Sequence, residues 1–308
     1  MEKDKSYENA MKVIKTIGPE QRSIQWKLIK HNSIGASEAE LAIGGEGYGK
    51  TRKTLIDKKV ASLPEYFSSP ATEFGTKYEI VAKIIIQKLY KKCKVYDSVY
   101  IIHPEYYFIG ASPDLIIVDE KREKAVLCEI KVPYSRVVDG SINPEYYTQL
   151  QWQMETCGIE ENIFFDVNLK EYRTLPQIKK LGAVKYCGIT IKSPIKPHKD
   201  AVPTDLPSFW VVVVDSIEEL DQFEDLEKEY KAKELQTKKK TGENHIHQTF
   251  HYFVVPNYSS TKVMRDRSWF EKVLPIVKNT WDEVEYRREN LDDMEEYEIY
   301  AIDYMPKP

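Results

Sequence analysis

The chain of 308 residues predicts an α/β protein with a central, mixed but mostly antiparallel sheet flanked by helices. Three observations lead there. Apolar residues recur at helical spacing on both sides of the chain's middle, and short Val-, Ile- and Tyr-rich segments fill that middle. The resulting order is α, β-meander, α, β, with no internal repeat. A chain of this length, 42% hydrophobic and 31% charged, buries a sizeable core and is no disulfide-stapled miniprotein or wholly disordered chain.

Residues 21–30 read as a short helix with Trp26 and Ile29 inward, and a second helical start follows at 37–43. From Thr72 to Lys91 the residues Phe74, Tyr78, Val81, Ile85 and Leu89 make one apolar face, with Thr72 as the expected N-cap. The period then changes. Residues 95–103, 107–109, 115–118 and 125–132 read as strands, the last two joined by the polar hairpin 119–124. Residues 143–157 return to a helix, with Asn143 as cap and Pro144 at its first position. Further strands are expected at 163–168, 184–191, 209–214 and 250–255, and further helices at 218–238 and 267–290. The proline-punctuated stretch 193–207 marks a boundary between residues 1–192 and a C-terminal α/β extension, 193–308.

The net charge of −4 is unlike the basic balance of most nucleic-acid binders. Its distribution is uneven: residues 281–308 hold ten acids and three bases, whereas residues 1–60 hold twelve Lys/Arg and eight Asp/Glu. A binding site responds to its local field, so a polyanionic substrate is neither supported nor excluded by the sum. Cys93, Cys128, Cys157 and Cys187 form no close pair, which argues against a zinc site or redox dithiol. The first fifteen residues hold no apolar signal segment, and no apolar run approaches the roughly 20 residues that span a bilayer. A soluble intracellular protein with no membrane partner is expected.

The sharpest signal is ASPDLIIV (111–118) followed by LCEIKV (127–132). Asp114 opens one expected strand, and Glu129 and Lys131, two apart on the next, share a face. A hairpin brings them together. Two carboxylates and the Ile130 carbonyl make a hard oxygen site suited to Mg²⁺ (or Mn²⁺), beside a lysine able to activate water and neutralise a phosphate. Acid-x-Lys triplets also occur at 57–59, 119–121 and 229–231, but only this one sits in a strand with buried-type flanks. Charged groups in such a strand are costly unless paired or metal-bound.

Asp114 and Glu129-Ile130-Lys131 resemble the two halves of the PD-(D/E)xK nuclease motif, and more narrowly the λ-exonuclease/YqaJ-type viral recombinase family. Four further pieces match in order: Trp26, Lys30 and IGASEA (34–39) resemble its W-x3-R-x3-ITAS segment, FGTKYE (74–79) its G-x3-E helix, GASPD (110–114) its SPD strand, and YYTQLQWQM (146–154) its Q-x-Q helix. The resemblance covers residues 21–168. It implies a restriction-endonuclease-like core, with Asp114, Glu129 and Ile130 holding metal, Glu79 assisting, Lys131 activating water and Gln149 positioning it. It also implies that Ser37 and Lys30 hold a 5′-terminal phosphate, with Arg22 and Gln151 as further substrate contacts. Lysine at position 30, where the family places arginine, keeps the charge and loses bidentate recognition.

The implied activity is a Mg²⁺-dependent 5′→3′ exonuclease on double-stranded DNA ends, serving viral recombination or replication. A single-strand annealing protein and a homo-oligomer are the partners it implies. A structure-specific endonuclease with the same metal site and a non-catalytic DNA-binding scaffold are the rival readings. Two other motifs carry little: His245, His247 and His251 lack a completing acid or cysteine, and GGEGYGK (44–50) lacks the register of a phosphate loop.

Overall fold

The computed structural model describes residues 5–19, 23–45, 50–61, 69–182, 184–193, 196–225, 227–229, 232 and 250–290. The expected Arg22, His245 and His247, the middle of the 44–50 segment and most of the acidic tail lie outside these residues.

The architecture is α/β, as expected. An eight-stranded sheet is built from β2 (Lys94–Asp97), β5 (Leu115–Asp119), β6 (Lys124–Lys131), β7 (Glu161–Tyr172), β8 (Tyr186–Lys192), β9 (Val202–Pro203), β10 (Phe209–Val214) and β11 (Phe250–Met264), in the order β2-β5-β6-β7-β11-β8-β10-β9. Its pairings are antiparallel except that of β6 with β7. A parallel pair needs a crossover, and α6 (Pro144–Cys157) supplies it.

Alternation along β6 divides the core. Cys128 and Ile130 join the apolar cluster under α5 (Pro70–Leu89), with Tyr78, Val81, Ile85 and Ile86. Leu127 points to the opposite face, where Leu150, Met154 and Cys157 of α6 pack with Ile116 and Phe164. Glu129 and Lys131 follow Leu127 on that second face.

Local signals explain the helix ends. The Asn143 side chain accepts from the Tyr146 N–H at 2.8 Å, Pro144 starts α6, and Gly158 closes it in the left-handed conformation at φ 63°. The cap of α5 is Ser69 rather than Thr72: Ser69 Oγ accepts from the Thr72 N–H at 3.2 Å, with Pro70 at the first position. Leu89 is exposed, and Ile86 takes the inward place expected of it.

A second sheet of three short strands joins β1 (Ile34–Gly35) parallel to β4 (Ile109–Ala111), with β3 (Ile101–Ile102) antiparallel to β4. Gly35 thereby lies beside Gly110, four residues before Asp114. The chain between includes a 3-10 turn, Ala36–Glu38, and α3, Ala39–Ala42.

The C-terminal residues complete the same sheet. β11 runs well past the expected residue 255, pairing with β8 on one side and β7 on the other. The β7 ladder shifts between Val254 and Asn257, where Pro256 has no N–H to donate. The helix Arg267–Glu289 then packs Phe270, Val273, Val277, Trp281 and Val284 against Leu55 and Ile56 of α4 (Arg52–Val60), Phe108 and Trp152. Trp281 stacks on Phe108 with centroids 6.5 Å apart. Trp281→Ala is expected to lower unfolding stability by about 3–5 kcal/mol in a urea titration, since the cavity opens between the first and last parts of the chain.

Candidate active site

The β5–β6 hairpin joins what the sequence separates by fifteen residues. Leu115 pairs with Cys128, which sets Asp114 beside Glu129. Asp114 Oδ2 accepts from the Ile130 N–H at 2.6 Å, and the Lys131 ammonium pairs with Glu129 Oε1. Burial pushes the Asp114 carboxyl well above the usual carboxylate range, and the charges of Glu129 and Glu79 add to this against Lys131 and the Ile130 N–H. Burial disfavours the Lys131 ammonium, but Glu129 and Asp114 outweigh it and raise the lysine's pKa.

Glu129, 3% exposed, is held from above by α6. Gln149 Nε2 donates to Glu129 Oε1 and Gln153 Nε2 to Oε2, each at 2.6 Å. Gln153 in turn accepts from Asn162 Nδ2 at 2.8 Å. The i, i+4 spacing of the two glutamines puts both amides on one helix face. Gln149 therefore acts first on the carboxylate.

Gln151 points elsewhere, against the expectation of a substrate contact. It is 1% exposed, donates to the Met264 carbonyl at 2.8 Å and accepts from the Asp266 N–H at 2.7 Å. It ties α6 to the corner between β11 and the last helix. Glu79 pairs with Lys83 at 3.1 Å and bears on Asp114 through its charge.

A second buried acid borders the site. Asp166 on β7 is in register with Lys131, and Arg136 grips it with two bonds of 2.6 and 2.9 Å. Lys131 and Arg136 lie 5.3 and 5.5 Å from the centroid of the Tyr146 ring. An aspartate inside the apolar run IFFDVNL (163–169) carried the same signal as Glu129.

Lys30 and Ser37 flank the β1 segment. Ser37 is exposed in the 3-10 turn, and Lys30 Cε lies 3.5 Å from where a Cβ on Gly35 would stand. Gly35 is the N-cap of that turn, and its N–H is taken by Glu38 Oε2 at 3.1 Å. Thr148 Oγ1 donates to Glu40 Oε2 at 2.6 Å, linking α3 to α6 one residue from Gln149.

Among the described residues no group of three or more His, Cys, Asp or Glu side chains is assembled around a metal position. The oxygen donors that could take a cation here are Asp114 and Glu129 with the Ile130 carbonyl. Hard oxygen donors of this kind fit a divalent cation that takes one or two carboxylates. The crowding of negative charge on Asp114 is what a divalent cation relieves.

Residues 25–160 match the YqaJ-like viral recombinase domain. A protein of Acanthamoeba polyphaga mimivirus is 27% identical over 166 residues, which cover 50% of this chain and 30% of that protein. A protein of African swine fever virus is 25% identical over 157 residues, 43% of this chain and 45% of its own length. The match thus spans less than half of either viral relative. The fold is similar to that of an alkaline exonuclease from Laribacter hongkongensis, with TM-score 0.51, 17% identity, and coverage of 88% of this chain and 97% of that one. The same exonuclease in complex with dAMP aligns with TM-score 0.52, at the same identity and coverage.

The Glu129 network has a measurable weight. Gln153→Leu leaves Glu129 Oε2 and the Asn162 amide without this partner, and is expected to cost about 1–3 kcal/mol in chemical denaturation.

Proposed function

We propose that this chain is a divalent-metal-dependent deoxyribonuclease that degrades duplex DNA from its ends in the 5′→3′ direction, in the service of viral recombination or replication. The observation that carries the reading is the Asp114–Glu129–Lys131 group on one hairpin of a YqaJ-like domain, with Glu129 clamped by α6. The alkaline exonuclease fold supports the reaction class.

Asp114, Glu129 and the Ile130 carbonyl would hold Mg²⁺, with Mn²⁺ as an alternative. The ion, when bound, polarises the phosphate and lowers the pKa of a bound water. The protein's part is positional. Gln149 and Gln153 fix the Glu129 carboxylate against rotation, so its oxygens are aimed before substrate arrives. Lys131, held next to Glu129, presents N–H donors to orient the attacking water and to offset charge growing on the phosphate oxygens. Arg136, anchored by Asp166, adds a second cation beside Tyr146. In-line attack breaks the P–O3′ bond, and the released nucleotide keeps its 5′-phosphate.

Lys30 and Ser37 would meet the terminal phosphate of the degraded strand. The 3′ overhang left behind is the kind of substrate a single-strand annealing protein takes up.

The test is digestion of end-labelled linear duplex with Mg²⁺, beside a closed circle of the same sequence. Linear DNA is expected to shorten from its 5′ ends while the circle survives. Lys131→Ala should lower the rate by about 10²–10³-fold with little change in DNA affinity. Cutting of the circle would mark an endonuclease, and intact linear DNA with both proteins would overturn the nuclease reading.

A further inference from the structure

Away from the acidic hairpin the structure buries a further ion pair, Lys59 with Glu38. Lys59 of α4 is 1% exposed, and its ammonium donates to three acceptors: the Lys30 carbonyl at 2.8 Å, the Ser33 carbonyl at 2.7 Å and Glu38 Oε2 at 2.7 Å. An ammonium has three N–H groups, and all three are used. The acceptors span the turn from the end of α2 (Ile24–His31) through β1 to the 3-10 turn. The Lys30 carbonyl is one that a helix end leaves without an intrahelical partner. Glu38 closes the loop from the other side, taking the Gly35 N–H on Oε2 and Lys58 on Oε1 at 2.7 Å.

Lys30 and Ser37 hang from this turn. We propose that Lys59 is the positioning residue for DNA-end recognition: its ammonium folds residues 30–38 so that the Lys30 amine and the Ser37 hydroxyl converge on a strand's terminal phosphate. This rests on the deoxyribonuclease reading above. A buried ion pair can often be replaced by apolar side chains without loss of stability. An apolar residue at position 59 would take a donor from the Lys30 and Ser33 carbonyls and the countercharge from the buried Glu38 Oε2, which would keep only the Gly35 N–H, so the turn's geometry is what the charge specifically maintains.

The surroundings give the clamp a pH dependence. Facing it are Lys30 and His31 from α2, Glu38, Lys58, Tyr100 and, from the last helix, Arg288, which donates to the Lys59 and His31 carbonyls. Burial, against the pull of Glu38, lowers Lys59 to about 8. Burial and the neighbouring cations Arg288 and Lys59 lower His31 to about 4, Glu38 lies far below the usual range despite its burial because of Lys59 and Lys58, and burial raises Tyr100. Below pH 8 the ammonium serves three acceptors; above it a neutral amine has two N–H groups for the same three.

The experiment compares fluorescent blunt duplexes with 5′-phosphate or 5′-hydroxyl ends. Binding is measured in Ca²⁺ and digestion in Mg²⁺, for wild type and Lys59→Met. Wild type is expected to favour the phosphate end. Lys59→Met should weaken binding to that end by about tenfold, with hydroxyl-end binding and the rate at saturating DNA within about twofold of wild type. A variant that keeps the wild-type preference, or weakens on both ends alike, overturns the clamp. So does a wild type that digests both ends equally, although the nuclease reading then stands. A wild type that neither binds nor digests duplex DNA overturns both. If Lys59→Met fails to fold, the wild-type phosphate preference measured from pH 7 to 9.5 decides: a fall through pH 8 supports the clamp and a flat profile overturns it.

Discussion

The parallel pairing of β6 with β7 is the constraint from which the site follows. Parallel neighbours cannot be joined by a hairpin, so the chain must leave the sheet, cross it and return. The crossing segment is α6, and it covers the face on which Glu129 and Lys131 stand. The helix that solves a connection problem therefore delivers Gln149 and Gln153 to the carboxylate. Its reverse side is fixed by Gln151 and by Arg265, which bonds Glu155 at 2.7 Å. Rotation of α6 is thus opposed from both sides.

Around this crossover the protein places charge where water is scarce. Glu129, Asp166, Glu38 and Lys59 are all buried, and each is answered by an opposite charge or by several donors or acceptors. Isolated ions in such positions are penalised by several kcal/mol each. Their pairing is directional, which is why these residues hold their neighbours in single orientations. The β1–β4 contact connects the two groups, because Gly35 beside Gly110 ties the Lys59 turn to the segment that ends at Asp114.

Much of this was legible in the sequence for simple reasons. Period-two alternation placed Glu129 and Lys131 on one face, and Asn143-Pro144 announced the start of α6 with the right cap. Asp114 could be matched to Glu129 because the hairpin between them is short and polar. What stayed hidden depends on distant partners. Nothing local distinguishes Lys59 from the exposed Lys53 of the same helix, since its burial comes from α2, the 3-10 turn and the last helix. Gln151 carries the same side chain as Gln149 and Gln153, and only the β11 corner decides that it faces away. The cap of α5 was misplaced because Ser69 and Thr72 are chemically alike, and the proline between them decides.

The position of β11 has a consequence in time. The Asp114–Glu129 hairpin and α6 leave the ribosome early, yet β7 then presents a bare edge whose partner is residues 252–264. At 5–20 residues per second, that partner arrives roughly 5 to 20 s after β7. Over that interval the nascent chain holds its acidic hairpin on an unfinished sheet, with the Arg267–Glu289 helix still unmade. Completion of the sheet beside β7 therefore waits for the C-terminal part of the chain.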